Sequence, residues 1–403
     1  MPSRASLIVE RPASPVRWRV RNCENVPMLY LDHAATTVVR PEVRAAMAPF
    51  ADQMFGNPSG IHGVSRAAKN AMEEARERAA ELLGADKPLE IIFTAGGTEA
   101  DNLAIVGAAL AGGRRRPIVT SAIEHEAVLE SARFAQRLGC ELTIVGVDSA
   151  GRVAAHEVAA ACRDGAIVSV MAANNETGAL QPISEIAAAA TAAADGVAVH
   201  TDAVQAFISE EVTAAATGVD MISLAAHKLG GPKGVGLLYV RDGIPLEPVI
   251  HGGGQELGRR SGTHNVGGIV GLVTAMTLSV ADRDRFRERV GGARDRFEAV
   301  LAVEVGGIEL TVGEPRLVQH SHLRIPGIPS ETLLIRLDQA GVAAAAGSAC
   351  QSGAIETSHV LAAMGANDAV ATESLRFTFG WVNDVGDGED AAKRVAAVVG
   401  ELR

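Results

Sequence analysis

Between residues 90 and about 240, short apolar runs alternate with helix-length, alanine-rich stretches. The runs at 90–93, 117–120, 142–145, 166–171, 197–200 and 221–224 have the composition of buried strands. Helical segments at 125–138, 154–163 and 183–194 separate several of them. That alternation predicts an α/β protein with a mainly parallel sheet wrapped by helices. A seventh run, 234–240, follows so closely on the sixth that it is expected as an antiparallel addition. The alanine tracts at 187–190 and 343–346 lie inside periodic segments and are expected to be tightly packed structure. After the glycines at 252–254 the character changes. A long helical stretch near 266–303 leads into a second α/β pattern that runs to the C-terminus.

A chain of 403 residues is too long for one simple core. The expected division is an extension at 1–27, a large domain at 28–275 and a small C-terminal domain at 276–403. The segment near 28–40 is expected to pack on the small domain. Aromatic residues make up only 3% of the chain against 47% hydrophobic, so alanine, valine and leucine must fill the core. A net charge of −11 without a long basic run argues against a nucleic-acid surface, and Arg114, Arg115 and Arg116 fit a solvated loop. No stretch approaches the roughly 20 uninterrupted apolar residues of a membrane span. The four cysteines, Cys23, Cys140, Cys162 and Cys350, have no paired spacing, so neither a metal site nor a disulfide framework is indicated. A reducing cytoplasm is the expected setting. The first 27 residues carry five arginines, but Glu10 and Glu24 interrupt them, which disfavours a transit peptide.

Several positions carry candidate chemistry. The run Thr94-Ala-Gly-Gly-Thr98 follows a strand and opens a helix, where free N–H groups and close-approaching glycines suit a phosphate; a capped glycine turn reads equally well. Asp202 lies just past a buried strand, either as a turn residue or as an ionised partner for a pyridinium nitrogen. Gln205 and Asn175 can reach the phenolic oxygen of such a ring. Lys228 and Lys233 compete for an aldehyde; Lys228 is preferred because it follows directly on an apolar strand end, where burial favours a neutral amine. His227 beside it can donate to a phosphate. His125 opens a helix and suits ring stacking and proton handling. Arg376, flanked by apolar residues, needs an anion, either a structural carboxylate or a substrate's. Cys350 sits in Gly347-Ser-Ala-Cys-Gln-Ser-Gly353, small and polar, which suits an exposed thiol better than a buried one.

Taken together these segments resemble the group I (NifS/IscS-like) cysteine desulfurases of the class V aminotransferase superfamily. The resemblance covers about residues 29 to 395. It also rests on Leu31-Asp-His-Ala-Ala-Thr-Thr37, Gly56-Asn57-Pro58, His251-Gly-Gly-Gly-Gln-Glu256 and Arg260-Ser-Gly-Thr263. It implies a fold-type I transferase with a seven-stranded sheet, dependent on pyridoxal 5′-phosphate (PLP). It further implies a homodimer that takes sulfur from L-cysteine, leaves L-alanine, and passes a Cys350 persulfide to a protein acceptor. That acceptor is an iron–sulfur scaffold or a thiolation carrier.

By matching position, Lys228 would hold PLP, Asp202 its ring nitrogen, and His125 its face. Gln205 and Asn175 would contact the phenolic oxygen. Gly97, Thr98 and His227 would hold the phosphate, with Thr263 reaching in from the partner subunit. Asn57 and Arg376 would bind the substrate carboxylate. Three departures stand out: Ala225 replaces a phosphate-donating serine found in many members, the sequence ends at Arg403 without the tail with which some members dock a scaffold protein, and residues 1–27 have no counterpart in the family pattern. A selenocysteine lyase, an aminotransferase or epimerase without sulfur transfer, and a silent sulfur-relay partner are the competing readings.

Overall fold

A computed structural model describes residues 20–21, 27–346 and 358–403 of the chain. The extension expected at 1–27 therefore lies almost wholly outside the described residues, as does Cys350. At the centre is a seven-stranded sheet in the order Ile91–Thr94, Gly236–Val240, Met221–Ala225, Ala198–Asp202, Ile167–Ser169, Ile118–Ser121 and Leu142–Val145. All strands run parallel except Gly236–Val240, which is antiparallel to both its neighbours. The expected antiparallel strand is thus present, second from one edge of the sheet. Six of the seven are buried along their full length with two helical layers over them, which is why they read as apolar runs.

The helices that cover the sheet are built from small residues. In Ile183–Ala193 the buried positions Ile183, Ile186, Ala187 and Ala190 fall on one face at helical spacing. Gly63–Leu83 is capped by His62, whose ring accepts from the Ser65 amide, and closes at Gly84 in the left-handed conformation (φ 66°).

The long helical stretch after residue 265 is two helices, Val266–Ala281 and Arg283–Glu304, bent by 76°. The first packs on Pro41–Met47 and Gly63–Leu83, the second on Val385–Leu402. At that second contact a Cβ on Gly388 would lie 2.0 Å from the Ala293 carbonyl oxygen, so only glycine lets the helices approach this closely. Beneath them His320–Arg324 pairs antiparallel with Ser374–Thr378, over a core in which the rings of Phe297 and Phe377 stand 4.9 Å apart. Pro27–Tyr30 pairs in parallel with Val342–Ala343, and Asp32 bridges to Thr378, so the chain's early segment joins these C-terminal strands.

Candidate active site

Parallel strands aim their carboxyl ends at one side of a sheet, and ligands collect there. Asp202 is the last residue of its strand, Lys228 ends the short turn Ala226–Lys228 after the next, and His125 follows Ile118–Ser121. The sheet alone brings these three together. Lys228 Nζ donates to the carbonyl oxygens of Ala34 and Ala35, the latter at 2.7 Å. Gln205 Nε2 donates to the same Ala34 oxygen at 2.9 Å, so lysine and glutamine share one anchor. His125 caps the helix Glu126–Arg137, its Nδ1 accepting from the Ala127 amide at 3.1 Å. That bond fixes Nδ1 as an acceptor and leaves Nε2 to carry the hydrogen.

Asp202 is buried, and its carboxylate accepts a hydrogen bond from the Val204 amide at 2.9 Å. Burial pushes its pKa up, while His125 and Lys228 pull it back. A buried carboxylate of this kind lacks a full cationic partner, and a protonated ring nitrogen supplies one.

Next to this cluster lies an open cleft of about 900 Å³ lined by Thr36, Gly97, Thr98, His227 and Lys233, among others. Gly97 begins a helix there, and a Cβ on it would meet Val204 Cγ2 at 3.1 Å, so the tight turn favours glycine. His227 Nδ1 lies 3.2 Å from Thr36 Oγ1. Burial, together with the charges of Lys228 and Lys233, lowers its pKa to about 4 and keeps it neutral. Ala225 is buried and offers no hydroxyl; the side-chain hydroxyls lining the cleft are those of Thr36 and Thr98. Backbone N–H groups, two hydroxyls, an imidazole and Lys233 form a donor set that suits a phosphate monoester. The residues present fit pyridoxal phosphate: an amine, a ring-nitrogen carboxylate and a phosphate cradle adjoin one another. Among the described residues no cluster of histidine, cysteine and acidic side chains suits a metal ion.

Arg376 is held on Ser374–Thr378 and is buried. Its Nη2 donates to Asp32 Oδ1 at 2.7 Å and its Nη1 to the Asn175 carbonyl at 3.0 Å, while Nε has no partner. Asn175 thus meets Arg376 through its backbone. Asn57 is exposed on a loop, with its side chain accepting from the Ser59 amide at 3.0 Å. Thr263 is exposed on the 250–265 loop and lines neither this cleft nor the small cavity behind Lys228. Cys350 and its glycine-bounded segment lie outside the described residues.

Asp32 was not among the candidates, and its pairing with Arg376 spans 344 positions. The residue stands inside the Leu31-to-Thr37 segment, which was the only signal available. Two further contacts tie the chain on either side of Cys350 to the site. Ala345 and Arg376 exchange backbone hydrogen bonds at 3.1 and 2.7 Å, and Ser358 Oγ donates to buried Glu176 at 2.8 Å.

Comparison with known proteins agrees with this geometry. The family model for class-V aminotransferases matches residues 29–388. A cysteine desulfurase IscS of Dictyoglomus turgidum is 43% identical over 355 residues, covering 87% of this chain and 89% of that protein. The putative cysteine desulfurase IscS 1 of Bacillus subtilis is 44% identical over 384 residues, covering 93% and 99%. Among solved structures, a NifS-like protein aligns with TM-score 0.86 at 34% identity, covering 93% of this chain and all of its own (100%). A structure described as SspA in complex with cysteine aligns with TM-score 0.77 at 33% identity, covering 87% and 98%.

Proposed function

Because the chain belongs to the class-V aminotransferase family, as a cysteine desulfurase dependent on pyridoxal 5′-phosphate, we propose that Lys228, Asp202, His125 and Arg376 prepare L-cysteine for sulfur transfer to Cys350. The observation that carries this division of labour is the convergence of Lys228, Asp202 and His125 at strand ends on one side of the sheet, beside the phosphate-suited cleft.

In this reading Lys228 holds the cofactor's aldehyde carbon, Asp202 its ring nitrogen and His125 its ring. Gln205 and the Asn175 side chain take the phenolic oxygen, and Gly97, Thr98 and His227 take the phosphate. The bound cofactor supplies an electron sink next to the substrate's α-carbon, which labilises the bond from Cβ to sulfur. Arg376 orients the substrate carboxylate, its unpartnered Nε offering a donor beyond those used by Asp32 and Asn175. Once the substrate amine takes its place, the freed Lys228 amine removes the α-proton. The Cys350 thiolate then attacks the substrate sulfur: a sulfur–sulfur bond forms and the Cβ–S bond breaks. The carbon skeleton keeps the electron pair and, after protonation, leaves as alanine. Covalent geometry keeps the Cα of Cys350 within roughly 14 Å of that of Ala346, whose neighbour Ala345 is bonded to Arg376.

The same reading includes a homodimer in which Thr263 completes the partner's phosphate site and Asn57 helps to bind substrate. Its support is apolar exposure on the two loops that carry them: Phe55 is 67% exposed, Ile61 91% and Leu257 70%. Glu256 and Leu257 also hold left-handed backbone (φ 51° and 57°), a strain that non-glycine residues keep where function demands it. A reducing cytoplasm, which keeps Cys350 a thiol, and a protein sulfur acceptor complete the proposal.

The test is an assay of alanine and sulfide from L-cysteine with wild-type protein and Cys350→Ser. The variant should keep the cofactor's visible absorbance and lose sulfide release. Normal desulfuration by Cys350→Ser would refute the thiol's role.

A further inference from the structure

Around Asp202 lies a set of buried polar groups that the mechanism above does not use. Asp101, on the Gly97–Asn102 helix, is 1% exposed, and His200, Ser169 and Ser223 on three adjacent strands are fully buried. They form a chain. Ser169 Oγ lies 2.9 Å from His200 Nδ1, His200 Nε2 lies 2.8 Å from Ser223 Oγ, and the Ser223 hydroxyl is bonded to the Asp101 carboxyl. The Asp101 Oδ1 atom has no hydrogen-bond partner and stands 3.7 Å from His200 Nε2. Burial lowers the His200 pKa to about 3, so the ring is neutral and offers Asp101 no countercharge.

Asp101 feels the charge of Asp202, and two buried acids within each other's reach cannot both ionise cheaply, so one proton settles on the pair. The surroundings decide which member takes it. Asp202 has the favourable charges of His125 and Lys228 and an amide donor in Val204. Asp101 faces burial first, then the charges of Asp202 and Glu124, with Ser223 as its helping hydrogen bond, and is driven well above the usual carboxylate range. Glu124 is itself raised to about 8, by burial and, less strongly, by Asp202, against hydrogen bonds from Ser121 and the Met171 amide.

We propose that Asp101 is a positioning residue that carries the shared proton as a neutral acid, leaving Asp202 the sole negative charge offered to the cofactor ring nitrogen. This rests on the assignment of Asp202 made above. Neutral Asp101 fixes the polarity of the whole chain. Its O–H donates to Ser223 Oγ, the Ser223 hydrogen goes to His200 Nε2, and His200 Nδ1–H donates to Ser169 Oγ. An ionised Asp101 would demand the reverse order, with Ser223 donating to Asp101 and hydrogen on His200 Nε2. The tautomer of one buried histidine therefore reports where the proton is.

The experiment is nitrogen-15 NMR of the histidine-labelled holoenzyme near neutral pH, with His200 assigned by its loss in His200→Gln. The expected result is hydrogen on Nδ1. Infrared spectra of the same holoenzyme should show protonated-carboxyl absorption, with one component lost in Asp101→Asn and a different one in Glu124→Gln. The Asp101→Asn amide can still donate to Ser223, so the His200 tautomer should survive that substitution. Hydrogen on Nε2, a doubly protonated ring, or no infrared loss in Asp101→Asn would overturn the proposal. If Asp101→Asn fails to fold, the wild-type tautomer decides alone. Failure of the Asp202 assignment would look different: Asp202→Asn would leave cofactor affinity and absorbance unchanged whatever the tautomer of His200.

Discussion

Substituting Glu256 by glutamine tests how the 250–265 loop is held. The Glu256 side chain is fully buried; its two oxygens receive Arg76 at 2.7 and 2.8 Å, and Oε1 also meets His264 Nε2 at 2.7 Å. Burial alone would raise the Glu256 pKa, but the bonds from His264 and Arg76, and the Arg76 charge, outweigh it and bring it down to about 2. Set against an ordinary 4.5, that gap amounts to about 3 kcal/mol at about 1.4 kcal/mol per pH unit. Because the folded pKa lies below the unfolded one, this stability is complete above pH 4.5 and is lost as pH falls through about 2. Glu256→Gln mimics the protonated side chain and leaves Arg76 buried with Glu73 as its remaining charged partner among the described residues. The variant should therefore be about 3 kcal/mol less stable at pH 7, and the deficit should shrink steadily below pH 4.5. Urea unfolding of both proteins, followed by far-ultraviolet circular dichroism from pH 7 to pH 3, measures it. A deficit below about 1 kcal/mol at pH 7, or one that stays constant on acidification, would refute the reasoning.

Three other substitutions probe the site and its surroundings. Lys228→Ala should abolish the cofactor's protein-bound visible band and lower activity by at least about 10²-fold, read by absorbance and alanine release. Arg376→Lys replaces a planar fork by a point charge and should raise KM for cysteine about tenfold with a smaller change in kcat, as steady-state kinetics would show. Leu257→Asp puts a charge on a strained, exposed apolar position; sedimentation should show weakened self-association with the far-ultraviolet spectrum intact.

The central sheet was legible because strands covered on both faces leave continuous apolar runs, as 167–169 and 221–225 do. The insertion of Gly236–Val240 between Ile91–Thr94 and Met221–Ala225 was not, since strand order depends on pairings as distant in sequence as Ile91 with Tyr239. Periodicity joined 266 to 303 into one stretch; it carries no information about axis direction, so the sharp bend at Asp282 went unseen. Lys228, Asp202 and His125 could be found because each sits at or shortly after the end of a recognisable strand. Asp32 could not, for its partner is nearly the whole chain away. Asp101 and His200 look in sequence like an ordinary helix acid and a strand histidine, and only their mutual burial gives them meaning.

The strand Ser374–Thr378 has two jobs at Arg376. Its side chain offers the guanidinium, while its main chain clasps Ala345, five positions ahead of Cys350. Sliding that pairing by one residue would turn the guanidinium to the opposite face and re-aim the start of the thiol's tether in the same stroke. In the proposed reading, substrate anchor and sulfur carrier are thus geared to a single ribbon, so a change that retunes the grip on cysteine also resets where the chain leading to the thiol sets out from.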